Sequence, residues 1–392
     1  MKKFNSRNAL LAMAIGGLGI GTTEFAVMGL LPQVADGLSI TIPQAGHIIS
    51  AYALGVVVGA PLFAVLTAKW NRKVTLIMLM VLFTIGNTFS GLAVNYHMMM
   101  VFRFVSGLPH GAYFGIAAVT GAALVGKAKR GYAVSMVMMG LTIANVVSVP
   151  LITLLGQNIG WRWAFVIIGI IGLATILAIA LVVPNVTADR NASMSKELTA
   201  LKTPQVLLTL ITGMIGFGGF FSVYSYITPT MTDVTGFTPA AVTVILSIYG
   251  LGMTTGNYIG GKAADWSIKK SIYIFGAGMA TTLFIFTFAV HNKITAVILV
   301  FLMGSMVSAY TPGLQARLME VANDAQNLAA SLNHSALNIA NALGAWLGGL
   351  VIAAGYGYVA PAWVGCVLAL AGLVSAFIMF RLDKNNGQIE TT

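Results

Sequence analysis

Apolar residues run in blocks of about 20 along the whole chain, separated by short polar connections. Twelve blocks can be marked, at residues 9–31, 47–68, 74–94, 98–121, 132–155, 161–183, 205–230, 239–261, 271–290, 294–313, 328–353 and 359–380. Each is long enough to cross a hydrocarbon core of about 30 Å as a helix. A helix also satisfies its own backbone N–H and C=O groups, as the interior of a bilayer demands. The pattern therefore predicts an all-α membrane protein with twelve transmembrane helices. The opening MKKFNSRNALLAMAIGG has the basic start and apolar core of a signal peptide, but the run continues to Leu31 without a small-residue cleavage site. It is read as the first span.

The longest polar connection, PNVTADRNASMSKELTALKTP (184–204), separates six spans from six. The two halves are written in one register. SAYALGVVVGAPLFAVLTAKWNRK (50–73) and SIYGLGMTTGNYIGGKAADWSIKK (247–270) match at a constant offset of 197, pairing Ser50 with Ser247, Tyr52 with Tyr249, Gly55 with Gly252, Gly59 with Gly256 and Lys73 with Lys270. The same offset pairs Pro32 with Pro229, Asp36 with Asp233, Gly107 with Gly304 and Tyr113 with Tyr310. Two pseudo-symmetric six-helix bundles are expected, 1–183 and 205–392, joined by a cytoplasmic linker. Parallel repeats of this kind expose a midplane site to each side in turn by rocking one bundle against the other. Gly55-xxx-Gly59, Gly252-xxx-Gly256-xxx-Gly260 and Gly344-xxx-Gly348 have the spacing that lets helices approach closely.

Composition agrees: 58% of residues are hydrophobic and 8% charged, against roughly 25% charged in soluble domains, and the mean hydropathy is +0.89. The net charge of +11 would suit nucleic acid if it were clustered, but its distribution follows membrane topology instead. With an inner N-terminus, 18 Lys and Arg fall on the inner side, while Arg162 and Lys293 fall outside and Arg103 within a span. Both termini are expected in the cytoplasm, in a plasma or inner membrane. The single cysteine, Cys366, excludes an internal disulfide and a cysteine metal cluster. Enzyme and ATP-pump readings find no catalytic cluster, no phosphate-binding glycine loop and no soluble domain. No cofactor, metal or nucleic-acid partner is expected; the partners are a small-molecule substrate, protons and lipid, with the chain acting as a monomer.

The loop GKAADWSIKK (261–270), the RFVSGLPHGAYFG stretch (103–115), GTTEF (21–25) and PQAGHIISAYALGVVVGAP (43–61) resemble the major facilitator superfamily. GTTEF, PQAGHIISAYALGVVVGAP and SGLPHGAYFG together resemble the arabinose-efflux-permease-like branch of its twelve-span drug:proton antiporters. The resemblance implies a cytoplasmic gate motif at Gly261, Asp265, Lys269 and Lys270, with a counterpart after span 2 that keeps Arg72 and Lys73 but has Ala64 and Ala68 for the glycine and the acid. Span 5, GLTIANVVSVPLITLLG (140–156), stands in the place of the antiporter motif; Gly140 and Pro150 fit it, Ala144 and Val149 do not. The direction implied by the branch is export.

Few ionisable groups lie within the spans: Glu24 in span 1, Arg103 and His110 in span 4, His334 in span 11, and His47 near the start of span 2. Glu24 and Arg103 fall at similar depths. In the resembled fold both spans line the central cavity, so an ion pair between them is expected. Desolvation favours the neutral acid and a nearby guanidinium favours the carboxylate, so helix movement can switch Glu24 between the two forms. Glu24 is then the proton carrier; a static pair joining two spans is the alternative. His110, two turns from Arg103 and just after Pro109, is a candidate relay.

At the shared offset Glu24, Arg103 and His110 become Phe221, Val300 and Val307, which confines the ionisable set to the first half. The second half offers Phe217, Phe220, Phe221, Tyr224 and Tyr226 in span 7. Five aromatics in ten residues are too many for one helix face, so some are expected to face lipid. Phe217, Phe220, Phe221 and Tyr224, with Tyr113 and Tyr310, form the expected substrate wall, suited to hydrophobic or amphipathic compounds such as drugs or sugars. The sequence thus points to a proton-coupled antiporter working by alternating access; a proton-coupled or passive importer is the alternative.

Overall fold

The computed structural model of the chain describes residues 5–67, 69–126, 130–187, 203–322 and 326–385. Among them twelve helices are long and apolar enough to cross a membrane. Spans 1 to 6 are Ser6–Gly29, Ile42–Phe63, Arg72–Gly91, Tyr96–Val125, Tyr132–Ile159 and Trp161–Val182. Spans 7 to 12 are Pro204–Tyr224, Pro239–Trp266, Ile268–Ala289, Lys293–Val321, Leu332–Ala353 and Ala360–Asp383. They follow the apolar blocks and depart from them mainly at the ends. Spans 8 and 10 continue past residues 261 and 313, because extending an existing helix into polar surroundings is easy once it is nucleated.

Asparagines begin several spans by accepting backbone N–H groups that have no partner within the helix. Asn71 Oδ1 accepts from Lys73 N (3.0 Å), Asn95 Oδ1 from Met98 N (2.9 Å) and Asn292 Oδ1 from Ile294 N (2.9 Å). Span 4 is two helices, Tyr96–Gly107 and His110–Val125. Pro109, which lacks a backbone N–H, sits at the break. In span 5 a π-helical turn at Ala144–Ser148 leads into the helix Val149–Ile159, whose second residue is Pro150.

The chain separates into two compact units, Met1–Ala192 with Pro239–Ser247, and Ser193–Thr238 with Ile248–Thr392. Most of the connection expected at 184–204 lies outside the described residues. Inside each unit the same pairs of helices meet. Span 1 packs on spans 5 and 6, and span 3 on spans 4 and 6. Span 7 packs on spans 11 and 12, and span 9 on spans 10 and 12.

The correspondence reaches single atoms. A methyl group on Gly55 would meet the main-chain oxygen of Phe104, and one on Gly252 would meet that of Phe301, 197 residues further along. Gly59 lies against Leu108 O and Gly256 against Ser305 O; Gly107 faces Tyr52 O and Gly304 faces Tyr249 O. Spans 2 and 4, and likewise 8 and 10, touch backbone to backbone. This is the close approach that small residues permit between membrane helices. Large apolar side chains such as Leu54, Leu62, Leu173 and Phe288 are exposed, as side chains that meet lipid would be.

Candidate functional site

Span 1 presents Thr22, Thr23 and Glu24 in a row, all buried. Arg103, from the first helix of span 4, is fully buried beside them. Its Nη1 donates to Thr23 Oγ1 (2.8 Å) and its Nη2 to Thr23 O (3.1 Å). The Thr23 hydroxyl donates onward to Asn87 Oδ1 (2.5 Å) on span 3, and Asn87 Nδ2 donates to Phe83 O (2.9 Å). The guanidinium lies over the Tyr52 ring, 4.4 Å from its centroid, and 5.6 Å from that of Phe165 on span 6. Arg103 Nε is buried without an acceptor.

The expected ion pair is not present. Glu24 and Arg103 do not come within 4.0 Å through their charged atoms, although Glu24 feels the Arg103 charge. The planar guanidinium is instead shared between a hydroxyl, a carbonyl and two aromatic faces, which its geometry and weak hydration suit. A cation over a desolvated ring gains about 0.5–2 kcal/mol, and each hydrogen bond to a charged group about 1.5–3 kcal/mol. A buried arginine can therefore be held without a carboxylate in contact.

Tyr52 and His110 complete the cluster. The Tyr52 hydroxyl lies 3.0 Å from His110 Nδ1, and the His110 ring packs edge-on against Phe114 with centroids 5.5 Å apart. Arg103 and His110, on either side of the break in span 4, thus reach the same tyrosine. Sequence reasoning missed the roles of Tyr52, Thr23 and Asn87. Only Tyr52 carried a signal, as one of the residues matched between the halves. His47 bonds Tyr96 (3.0 Å) at the start of its span, and Asn338 Nδ2 donates to His334 O (3.0 Å) in span 11.

In the second unit Phe217, Phe220, Phe221, Tyr224 and Tyr226 are all buried, so none faces lipid as expected. Span 7 is packed by spans 9, 10, 11 and 12. Although Leu207 and Ile211 near its start are exposed, every residue from Gly216 to Tyr224 is buried, so the aromatic part of the helix has no lipid face to fill. Phe220, Tyr224 and Tyr249 form a stack, with Phe220 and Tyr249 nearly parallel at 5.6 Å and Tyr224 and Tyr249 at 4.2 Å. Phe221 meets Phe220 at 4.9 Å, and Phe217 meets Tyr310 at 5.1 Å. Beside Tyr310 lies a narrow crevice, too small to hold a water molecule, bounded also by Gly216, Gly276, Met279 and Ala369. Tyr113 is placed differently from its repeat partner: its hydroxyl donates to Met13 O (2.8 Å) on span 1, against Gly16.

The motif residues sit at helix ends. Gly261 and Asp265 are in the last turns of span 8, and Lys269 and Lys270 open span 9, where Ser267 Oγ accepts from Lys270 N (3.3 Å). Asp265 is exposed and makes no ion pair with either lysine. Lys270 instead lies 4.6 Å from the Trp266 ring. After span 2, Arg72 N donates to Val186 O (2.9 Å) and Lys73 Nζ to Ala180 O (2.7 Å), fastening span 3 to the end of span 6. Ala68 lies outside the described residues.

A buried acid, a tyrosine and a histidine are groups that can take up or release a proton, and a guanidinium lies nearby. No three His, Cys, Asp or Glu converge as metal ligands among the described residues. The sequence matches the family model described as Major Facilitator Superfamily over residues 13–300 and 221–391. It is 42% identical over 372 residues to the inner membrane transport protein YdhP of Escherichia coli (strain K12), covering 95% of this chain and 96% of that protein. It is 29% identical over 366 residues to a probable sugar efflux transporter of Pasteurella multocida (strain Pm70), covering 93% and 90%. The crystal structure of a D-xylose-proton symporter superposes with a TM-score of 0.76 at 17% identity, covering 95% of this chain and 97% of that one. Twelve membrane-spanning helices, a repeat that extends to single atomic contacts, and full-length likeness to transport proteins make this chain a transporter, not an enzyme, and a member of the Major Facilitator Superfamily.

Proposed function

We propose that this chain is a proton-coupled antiporter that exports small hydrophobic or amphipathic compounds, drugs or sugars among them, by alternating access. The observation that carries the reading is Glu24. It is buried within span 1, more than a turn before that helix ends at Gly29, whereas Asp265, Glu320 and Asp383 lie in the final turn of theirs. It senses Arg103 without being neutralised by direct contact. An acid so placed takes up or releases a proton as its surroundings change, and intramembrane acids of this kind are functional by default. Arg103 and His110 complete the proton set. The aromatic residues Phe217, Phe220, Phe221, Tyr224 and Tyr310, with Tyr113, supply the substrate wall. Gly261, Asp265, Lys269, Lys270, Arg72 and Lys73 form the gate. Export is supported by the relative named as a sugar efflux transporter. The inner membrane is supported by the YdhP name, and inner termini by the charge distribution. The two bundles, divided near 184–204, act as a monomer, with no cofactor.

The test is transport in everted membrane vesicles with an imposed proton gradient, across a panel of lipophilic drugs and sugars. Wild type accumulates its substrate when the vesicle interior is acid, and Glu24→Gln loses the dependence on the gradient. Gradient-driven transport by Glu24→Gln equal to wild type would remove the assignment. Cells lacking the protein retain more of the same compound; lower content would indicate import.

A further inference from the structure

Arg103 poses a problem that the proton-carrier reading leaves open. A guanidinium in contact with Glu24 would hold the acid ionised and block protonation, while one removed from the site would leave nothing to drive the proton off. We propose that the face of Tyr52 is a second seat for the Arg103 guanidinium, which keeps the cation off Glu24 while the acid is protonated and so sets how tightly Glu24 holds its proton. This rests on the reading of Glu24 as proton carrier, and it makes Tyr52 a positioning residue, acting on the acid only through Arg103.

Three observations carry it. The guanidinium occupies the ring, 4.4 Å from the centroid, while making no ion pair with the acid on the residue next to its hydrogen-bond partner Thr23. The ring is fixed in place: Tyr52 is 1% exposed, its main-chain oxygen lies against Gly107, and its hydroxyl meets His110. The repeat provides an internal comparison. Tyr249 holds the same register in the second unit, where Val300 replaces Arg103, and there the ring stacks on Phe220 and Tyr224 instead. The same tyrosine thus packs against aromatic rings where the cation is absent and under the cation where it is present.

The groups around the pair are few. Tyr52 comes from span 2, Arg103 and His110 from span 4, and the side chains facing Arg103 from spans 3 and 6, Asn87 through Thr23 and Phe165 directly, carry no charge. Span 5 adds Ser148, bonded to Thr22 (2.7 Å). The ring's quadrupole attracts the cation less strongly than a carboxylate in contact would and does not titrate near neutrality. When Glu24 ionises, the guanidinium has a better site within reach; when Glu24 is protonated, the ring is the better one.

The test needs no substrate. Dicyclohexylcarbodiimide reacts with protonated carboxyls in apolar surroundings, so labelling of Glu24 in the purified full chain, followed across pH by peptide mass spectrometry, reports its protonation; Glu24→Gln is the blank. Tyr52→Leu removes the seat, leaves the guanidinium on the carboxylate and favours the ionised form. Half-maximal labelling then moves to lower pH by roughly half to one unit, a several-fold to about tenfold weaker hold on the proton. Tyr52→Phe keeps the aromatic face and moves it by less than half as much. Thr23→Val, which loosens the same seat without touching the ring, moves it in the acid direction and provides an independent arm if Tyr52→Leu folds poorly. Labelling of Glu24 with an unmoved or alkaline-shifted midpoint in Tyr52→Leu and Thr23→Val would overturn the seat alone. Absence of Glu24 labelling in wild type at every pH would overturn the proton-carrier reading and the seat with it.

Discussion

Gly59 on span 2 lies against the main-chain oxygen of Leu108 on span 4, the residue before the proline at which that span breaks. The contact recurs between Gly256 and Ser305 in the second unit. Neither glycine is needed for its backbone angles; each is needed because a side chain would hold the two helices apart. In the first unit this packing brings Tyr52 under Arg103 and against His110.

Gly59→Val therefore separates the two spans. Overpacking at such a contact costs about 1–3 kcal/mol, and the thermal midpoint of the detergent-purified protein falls by several degrees. Gly213→Ala is the control: its added methyl meets Leu314 Cδ1 at 3.6 Å and the Phe217 ring at 3.9 Å, both ordinary contacts, and its midpoint holds or rises. Equal midpoints for Gly59→Val and wild type would show that the spans are not held by this contact.

The aromatic stack in the second unit is separated in sequence and in unit from Glu24, Arg103 and His110. If it binds substrate, Phe220→Leu and Tyr224→Phe change KM by about threefold or more for some compounds and leave others unaffected. The pH of half-maximal transport stays at its wild-type value. Transport assays with several compounds, each across a pH series, separate the two effects. A pH profile that moved with these substitutions would contradict the division of labour between the halves.

Arg317 in span 10 is bonded to Asp383 in span 12 and to Glu320 one turn away (2.7 Å), with side-chain exposures of 9% for Arg317 and 13% for Asp383. Arg317→Gln leaves Asp383 half-buried without its cation. It lowers stability more than Asp383→Asn, which leaves Arg317 its bond to Glu320. A loss of about 1–3 kcal/mol is expected for Arg317→Gln, read as a lower thermal midpoint that high salt does not erase, because the pair is largely shielded from solvent. An order reversed between the two variants would show that Glu320 does not hold the arginine once Asp383 is gone.

The sequence reveals the spans and the repeat because a bilayer enforces both length and hydrophobicity over some 20 residues at a time. Glu24 and Arg103 stand out for the same reason, as charges that the lipid environment penalises. Their relative geometry was not legible. A threonine in a membrane helix usually bonds its own preceding turn, as Thr84 does to Met80 O (2.8 Å), so nothing marked Thr23 as the residue that takes the arginine. Asn87 was hidden in the same way. The aromatic run of span 7 was misjudged because the helix was treated as having one buried face throughout, whereas between Gly216 and Tyr224 it is buried all round.

The division of span 4 into Tyr96–Gly107 and His110–Val125 has a mechanical meaning. Two rigid rods joined at residues 108 and 109 can bend where one continuous helix would resist, and Tyr52 grips a side chain from each. The tyrosine is placed as a fulcrum: a flexing of the joint would displace the guanidinium, turning the energy of a bend into the energy of a moved charge.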